Sequence, residues 1–545
     1  MNSVNIFSFP TLMVLMMLSW GTMSSAFSQD KLPHKGTYDG KIGNDAVILV
    51  VDDAGSEMIK GYYVLNRGKA VEESHPFSVG KTGKKLIFQS DLYLGKMKGA
   101  QMDTSDFSGI ISLMNKKRLF LFRRPKAPVN FVRRPEIAVK PTDRYQKEIF
   151  NNVQVVSDRL YGKAKGYWTH VPYSNDPYIT TLSKGMVKAF NDPELLDLKL
   201  DIYYPKTDLF KNRPCVMLIH GGAFYIGSKE SAAERELATT FAKRGYVVAS
   251  IDYRLGFKLL PADIELSAYR AIQDAHAALR FLAHNAEGLG IDPNQIYVGG
   301  TSAGAMASLN VAFMDNDERP ERIKQAYREG RLGKIEESGN MYPEKFTIKA
   351  VANLWGGLSD LTIIDRDEKI AVLSIHGTAD EIVPYENDYP FKNAGMINRL
   401  VVDKMYGSKM IDDRLKILGL RERLVSLDGL GHEPELDNYK TLNRWMDTIK
   451  GYCTQFFYEE TAPQIKLPLS QLTISPTDDI KPIYYEVNNG SLVGITVSGG
   501  VKTKADPKDA SVIWLKDTEK NRTIEFLSTN KFEAWNKKKF SVIIK

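Results

Sequence analysis

Cysteine is nearly absent from this chain. Its 545 residues include two, Cys215 and Cys453, too few for a disulfide scaffold and not spaced as a metal or redox motif. Each sits in an apolar run, "PCVMLIH" and "GYCTQFF", where a buried free thiol is common, so two unpaired core cysteines are expected. No apolar run reaches the ~20 residues that cross a bilayer as a helix. There is no internal repeat and no long low-complexity tract. An excess of one charge is also missing: 73 basic against 66 acidic residues leave +7 on the whole chain, too dilute to call for a nucleic-acid partner. The densest basic cluster, Asn115 to Pro135, interleaves Lys and Arg with Phe and Leu. It reads as an edge strand running into a Pro-broken linker.

What is present is the composition of a globular protein with a sizeable core, 43% hydrophobic and 26% charged. The length suggests several domains. The apolar run Thr11 to Trp20 is followed by small residues, with Ala26 and Ser28 placed for cleavage before Gln29. That is the pattern of a secretory signal peptide over residues 1–28, although no basic segment precedes it. Export is therefore expected, to periplasm, cell surface or medium, with no integral membrane segment after cleavage. No cysteine follows the run to carry a lipid anchor.

Beyond it, three regions differ in pattern. Residues 32–135 carry short β-type runs between Gly, Asn and Asp turns, an all-β accessory module. Residues 145–458 alternate apolar strands with amphipathic helices, the α/β class with crossover helices on a mostly parallel sheet. The crossover helix after "DYR" is expected over Ser267–Asn285. Two charged, helix-prone stretches, Asp315 to Phe346 and Asp388 to Arg421, read as insertions above the strand ends. "APQIKLP" reads as a linker to a second β module over residues 466–545, Ig-like or a sorting domain, a plain spacer being the simpler reading.

Four motifs in the α/β region bear on chemistry. "GGTSAG", Gly299 to Gly304, places Ser302 between glycines at a strand-to-helix turn, which suits a nucleophile and equally a helix cap. "HGGAF", His220 to Phe224, lies 82 residues earlier. Its Gly221–Gly222–Ala223 turn can aim the N–H groups of Gly222 and Ala223, together with that of Ala303, at an oxyanion. His220 there is expected to hold the loop rather than act as a base. "HGTADEIVPY" offers Asp380 as the acid, with Asp360 in "WGGLSD" as rival and a turn aspartate as the bland alternative. "DGLGHEPEL" offers His432 as the base, 52 residues after Asp380. The order Ser302, Asp380, His432 suits a triad in which His432 moves the proton and Asp380 fixes its tautomer.

Taken with "DYRLG", Asp252 to Gly256, these motifs resemble the α/β-hydrolases of the carboxylesterase and acetylxylan or feruloyl-type esterase group, with hormone-sensitive-lipase-like esterases as relatives. The resemblance covers the middle three fifths of the chain. It implies a cofactor-free and metal-free serine hydrolase acting through an acyl-enzyme on small-molecule or glycan-linked esters with short or carbohydrate-attached acyl groups. Two departures stand out. The oxyanion turn has alanine where the lipase-like branch has a third glycine, and the gap between Asp380 and His432 is longer than in compact members. The additional residues, "MINRLVVDKMYGSKMIDD", read as a cap or pocket wall. A peptidase on the same fold, or a binding protein on an inactive scaffold, stays open from sequence. Neither β module carries a motif that assigns it a role, and nothing in the sequence fixes the oligomeric state.

Overall fold

The computed structural model describes residues 35–545 except 55–57, 83–84, 91–93, 98–105, 113–125, 136–140, 172–191, 259–260, 393–402, 438–439 and 470. The expected signal peptide, the first part of the basic cluster (115–125) and the "MINRLVV" part of the expected cap lie outside the described residues.

The centre is an eight-stranded sheet built from β1 (Val153–Gly166), β2 (Glu194–Pro205), β3 (Arg213–Ile219), β4 (Val247–Ile251), β5 (Ile291–Thr301), β6 (Ile348–Leu354), β7 (Ala371–Gly377) and β8 (Glu422–Leu427). The spatial order is β1-β2-β4-β3-β5-β6-β7-β8. The first two pairings are antiparallel and the rest parallel. Strands covered on both faces read as unbroken apolar runs, and β3 and β7 are buried at every position. Their side chains alternate between two cores. Cys215, Met217 and Ile219 enter one, and Val216 and Leu218 the other, as the two-residue period of a strand requires.

Among the described residues, six helices of eight or more residues cover the faces. α1 (Ala232–Ala242) and α6 (Trp445–Thr461) pack on one side through Leu237, Phe241, Ile449 and Phe457. α2 (Pro261–His284), α3 (Ala303–Phe313), α4 (Glu321–Arg328) and α5 (Ser408–Leu418) pack on the other. α2 begins at Pro261, more than a turn before the expected start, because the first helical N–H groups have no intrahelical partner and proline costs nothing there. The reading of Asp388 to Arg421 as a single insertion is corrected. Its second half is α5, the crossover between β7 and β8, with Ile411 and Leu415 in the core, and the chain before it contributes pocket wall. Both cysteines are free and buried, and they lie in different cores.

The terminal regions are mostly antiparallel β structures that touch one another, with Gln471–Ile474 lying parallel to Trp535–Ile544 in the C-terminal one. Strands between Gly36 and Arg133 form an eight-stranded sheet in which Lys126–Arg133 pairs with Gly36–Ile42 on one side and Asp106–Ser112 on the other. The linker expected around Pro128 is thus an internal strand. The proline sits near its start, where its carbonyl accepts from Gly43 N at 3.1 Å and its missing donor matters least. At the other end, four strands form a sheet over a core that includes Trp514, Phe526 and Phe540. Val512–Leu515 adds Val71–Glu72 as a parallel neighbour, and Ile48, Val64, Val501, Ile513 and Leu515 form a shared apolar cluster. The stretch "APQIKLP" is more than a linker: its Gln464–Lys466 forms a short strand that pairs with Glu486–Asn488.

Candidate active site

All the loops that matter leave the carboxyl ends of parallel strands, where open α/β sheets place their sites. Between β5 and α3 the chain turns at Ser302, whose φ of 51° and ψ of −116° lie outside the usual regions for a residue with a side chain. The neighbouring glycines are required by close approach. A Cβ on Gly300 would sit 2.4 Å from the Ile219 carbonyl oxygen, and one on Gly304 1.9 Å from the same atom. Here β3 passes directly under the turn, and side chains at either position would push the elbow off the sheet. Ser302 N is held by Leu354 O at 2.9 Å. Its side chain makes no cap to the helix, so the helix-cap reading does not describe this serine.

The hydroxyl points instead to the loop after β8. His432 Nε2 lies 2.8 Å from Ser302 Oγ, and His432 Nδ1 lies 2.7 Å from Asp380 Oδ2. Because Nδ1 faces a carboxylate it carries the proton, which leaves Nε2 as the acceptor for the serine hydroxyl. Asp380 leaves the end of β7 and takes four donors. Ile382 N and Val383 N reach Oδ1 at 2.8 and 3.0 Å, and His376 Nε2 reaches Oδ2 at 3.1 Å beside His432. Burial alone would raise the Asp380 carboxyl. The hydrogen bonds from His376 and His432 outweigh it and hold the group well below the usual carboxylate range. Asp360, the rival acid, instead accepts from Thr362 N and Thr362 Oγ1 at 2.8 and 2.7 Å on the pocket wall.

The loop after β3 supplies the donors opposite. Gly222, Ala223 and Phe224 run at φ of 104°, 52° and 59°, a coil that turns successive N–H groups to one side. Gly222 O accepts from both Tyr225 N and Ile226 N, at 2.9 and 3.0 Å. A Cβ on Gly222 would fall 2.1 Å from Ile226 O, so glycine is obligatory there. Gly221 lies against the nucleophile turn, where a Cβ would come within 3.3 Å of Ser302 Cβ. Ala303 follows Ser302 as the first residue of α3, so its N–H has no intrahelical acceptor. His220 lies beneath the loop, fully buried, with Nδ1 2.8 Å from Gly221 O and its ring stacked on Tyr253 at 4.4 Å. Burial pushes its pKa down to about 4, and its bonds make it a brace rather than a proton carrier. "DYRLG" completes the brace. Tyr253 Oη donates to His220 O at 2.9 Å, and Arg254 is locked to Asp274 of α2 by a buried ion pair at 2.7 Å.

Ser302 and Ala303 open into a cavity of about 430 Å³. Its walls are mostly apolar, with Phe224, Phe257, Ile272, Met306, Ile382 and Phe391 among them, and Glu265, Arg322, Asp403 and Lys404 also line it. Among the described residues no group of His, Cys, Asp and Glu is arranged to hold a metal ion.

Two participants have no counterpart among the sequence-derived candidates. His376 stands in the quoted "HGTAD" stretch, but its partner Ser408 is distant in sequence. Glu234, on α1, accepts from Thr301 Oγ1 at 2.7 Å directly behind the nucleophile. A charged letter on an amphipathic helix gives no hint that it is buried.

Comparison with known proteins places these features in context. Residues 200–372 match the family model BD-FAE, of α/β-hydrolase esterases. The chain is 37% identical over 110 residues to gut esterase 1 of Caenorhabditis elegans, covering 20% of this chain and 19% of that protein. It is 32% identical over 168 residues to a probable isoprenylcysteine alpha-carbonyl methylesterase of rice, covering 31% and 34%. With carboxylesterase NlhH of Mycobacterium tuberculosis it shares 34% identity over 124 residues, 23% of this chain and 36% of the relative. The chain thus spans about a third or less of the length of these curated relatives. Among solved structures, propionate-bound esterase 2 of Thermogutta terrifontis is 22% identical, with a TM-score of 0.34, covering 48% of this chain and 90% of its own.

Proposed function

We propose that this chain, whose middle region is an α/β-hydrolase of the carboxylesterase group, is a serine hydrolase that cleaves carboxylic esters through an acyl-enzyme. The observation that carries the reading is the unbroken chain of contacts from Ser302 Oγ through the two nitrogens of His432 to Asp380 Oδ2, at 2.8 and 2.7 Å. In the first half-reaction His432 Nε2 takes the serine proton as Oγ attacks the ester carbonyl. Asp380 keeps Nδ1 protonated and stabilises the imidazolium that forms. The developing oxyanion is received by the N–H groups of Gly222, Ala223 and Ala303, whose strained turn is already formed before substrate arrives. Collapse of the tetrahedral intermediate returns the proton from His432 to the leaving alcohol. Water then repeats the sequence on the acyl-enzyme and releases the acid.

The apolar cavity supports a substrate with a compact, uncharged acyl or alcohol group next to the ester. Short-chain acyl groups, free or attached to a carbohydrate, are the proposed class. The apolar run before Ala26 and Ser28 supports export. Among the described residues, no helix is long and apolar enough to cross a membrane.

A fluorophosphonate probe followed by peptide mass mapping tests the mechanism. The expected result is one phosphonylated residue, Ser302, with p-nitrophenyl acetate turnover lost in parallel and absent from Ser302→Ala. Labelling elsewhere, or undiminished turnover by Ser302→Ala, would show the mechanism to be wrong. Faster cleavage of dipeptide p-nitroanilides than of acyl esters would make the enzyme a peptidase.

A further inference from the structure

The acid of the triad is held by a second imidazole. His376, the penultimate residue of β7, is fully buried. Its Nε2 faces two oxygens that carry no proton, Asp380 Oδ2 and Val383 O, each at 3.1 Å. Nε2 must therefore bear the hydrogen. Its Nδ1 meets Ser408 Oγ at 2.7 Å, at the start of α5. That hydroxyl also accepts from Asn353 Nδ2 at 3.0 Å, which leaves its own hydrogen free to go to Nδ1. Asn353 cannot flip, because its Oδ1 accepts from Gly356 N at 3.0 Å while Nδ2 also donates to Ser374 Oγ at 3.0 Å. Each partner fixes the next, so the amide of β6 sets the hydroxyl of α5, the hydroxyl sets the tautomer of His376, and His376 sets Asp380. The ring of Tyr385 also stands edge-on to it at 5.8 Å.

We propose that His376 is a positioning residue for the reaction described above, and the inference rests on that reading. Its N–H shares Asp380 Oδ2 with His432 Nδ1–H and does two things. It fixes the oxygen in space, so that His432 is held with Nε2 aimed at Ser302. It also draws electron density from the carboxylate and so limits how strongly Asp380 stabilises imidazolium at rest. Without it, Ile382 N and Val383 N still hold Oδ1, but Oδ2 keeps His432 as its one side-chain donor, and that bond becomes stronger and less directed.

The test compares full-length parent, His376→Phe and His376→Gln, with turnover normalised to the number of fluorophosphonate-reactive serines. Normalisation removes any loss of folded protein, which a merely structural role would produce. His376→Phe is expected to lower kcat per reactive site by roughly tenfold, in the range of a single lost positioning contact, with KM within about twofold. The acid limb of kcat/KM should move to higher pH, because an Asp380 with one donor fewer raises the proton affinity of His432. His376→Gln places an amide N–H near the former Nε2 and should recover most of both. If His376→Phe does not fold, Ser408→Ala keeps the ring and its Nε2 donor but removes the hydroxyl that holds Nδ1, and should show a smaller loss of kcat with a smaller displacement of the acid limb in the same direction. Variants with parental kcat per reactive site and an unmoved acid limb would overturn the proposal while leaving the ester reading intact. A parent that neither labels at Ser302 nor turns over esters would overturn both.

Discussion

Glu234 offers a perturbation whose sign and size follow from its surroundings. Its carboxyl is 1% exposed at the start of α1, and its observed donor is the hydroxyl of Thr301. Burial raises its pKa from 4.5 to about 7, the Thr301 bond opposing and the charge of Glu433 adding to the effect. Glu435, also buried and with Oε2 unpaired, is raised for the same first reason. A carboxyl held protonated in the fold but ionised in the unfolded chain destabilises the protein increasingly as pH rises from the unfolded value through the folded one. At about 1.4 kcal/mol per tenfold change in proton affinity, the cost is about 1 kcal/mol at pH 5 and about 3 kcal/mol at pH 8.

Glu234→Gln removes this titration while its amide oxygen still accepts from Thr301. Thermal unfolding of the full chain at pH 5 and pH 8 reads the difference. The variant should melt higher than the parent at pH 8, with an advantage larger than at pH 5 by roughly 3–5 °C for a domain of this size. Residual pH dependence in the variant is expected from Glu435. An advantage equal at both pH values would refute the reasoning, since packing differences between Glu and Gln do not titrate. A parent more stable than the variant at pH 8 would show that Glu234 is ionised and paired in the fold.

Two further outcomes test the packing around the site. Gly304→Ala forces a Cβ to within 1.9 Å of the Ile219 carbonyl. It should cost on the order of 3 kcal/mol, read as a lower melting temperature together with weaker fluorophosphonate labelling; an unshifted melt would show that the elbow stands farther from β3. Cys215 and Cys453, pushed up to about 12 by burial, should resist a maleimide in the native protein and react fully only in denaturant; rapid native labelling would contradict their burial.

The site was more legible in the sequence than the scaffold beneath it. Glycine at 300, 304 and 222 is dictated by backbone contacts at 2.4 Å or less, and such contacts leave one letter available, so the motif shows in the chain. Ser302 and Asp380 were legible for a related reason, since each follows a buried apolar strand that is itself easy to read, and His432 follows the shorter, partly buried run of β8. His376 was not, because its role depends on Ser408 and Asn353, which only the packing of α5 against β6 and β7 brings near. The edge strand β1 escaped notice because much of it is exposed and polar, without the apolar run that marks its neighbours. The pairing of Val71–Glu72 with Val512–Leu515 joins opposite ends of the chain, and no local pattern encodes it.

The alanine in "HGGAF" bears on how the site is maintained. Of the twelve residues other than glycine with positive φ among the described residues, six lie at the strand ends around the site: Ala223, Phe224, Ser302, Trp355, Phe391 and Glu433. A left-handed conformation costs a residue with a Cβ roughly 1–2 kcal/mol, so strain is concentrated where the chemistry is. Glycine at 223 would relieve part of that strain, but it would also free the backbone N–H to turn away and remove a Cβ that lines the pocket. The buried parallel strands beneath, together with the Tyr253 and His220 brace, supply the rigidity that holds these conformations. A Gly-Gly-Ala turn is therefore compatible with an oxyanion site, because the surrounding fold does the work that a third glycine does by being permissive.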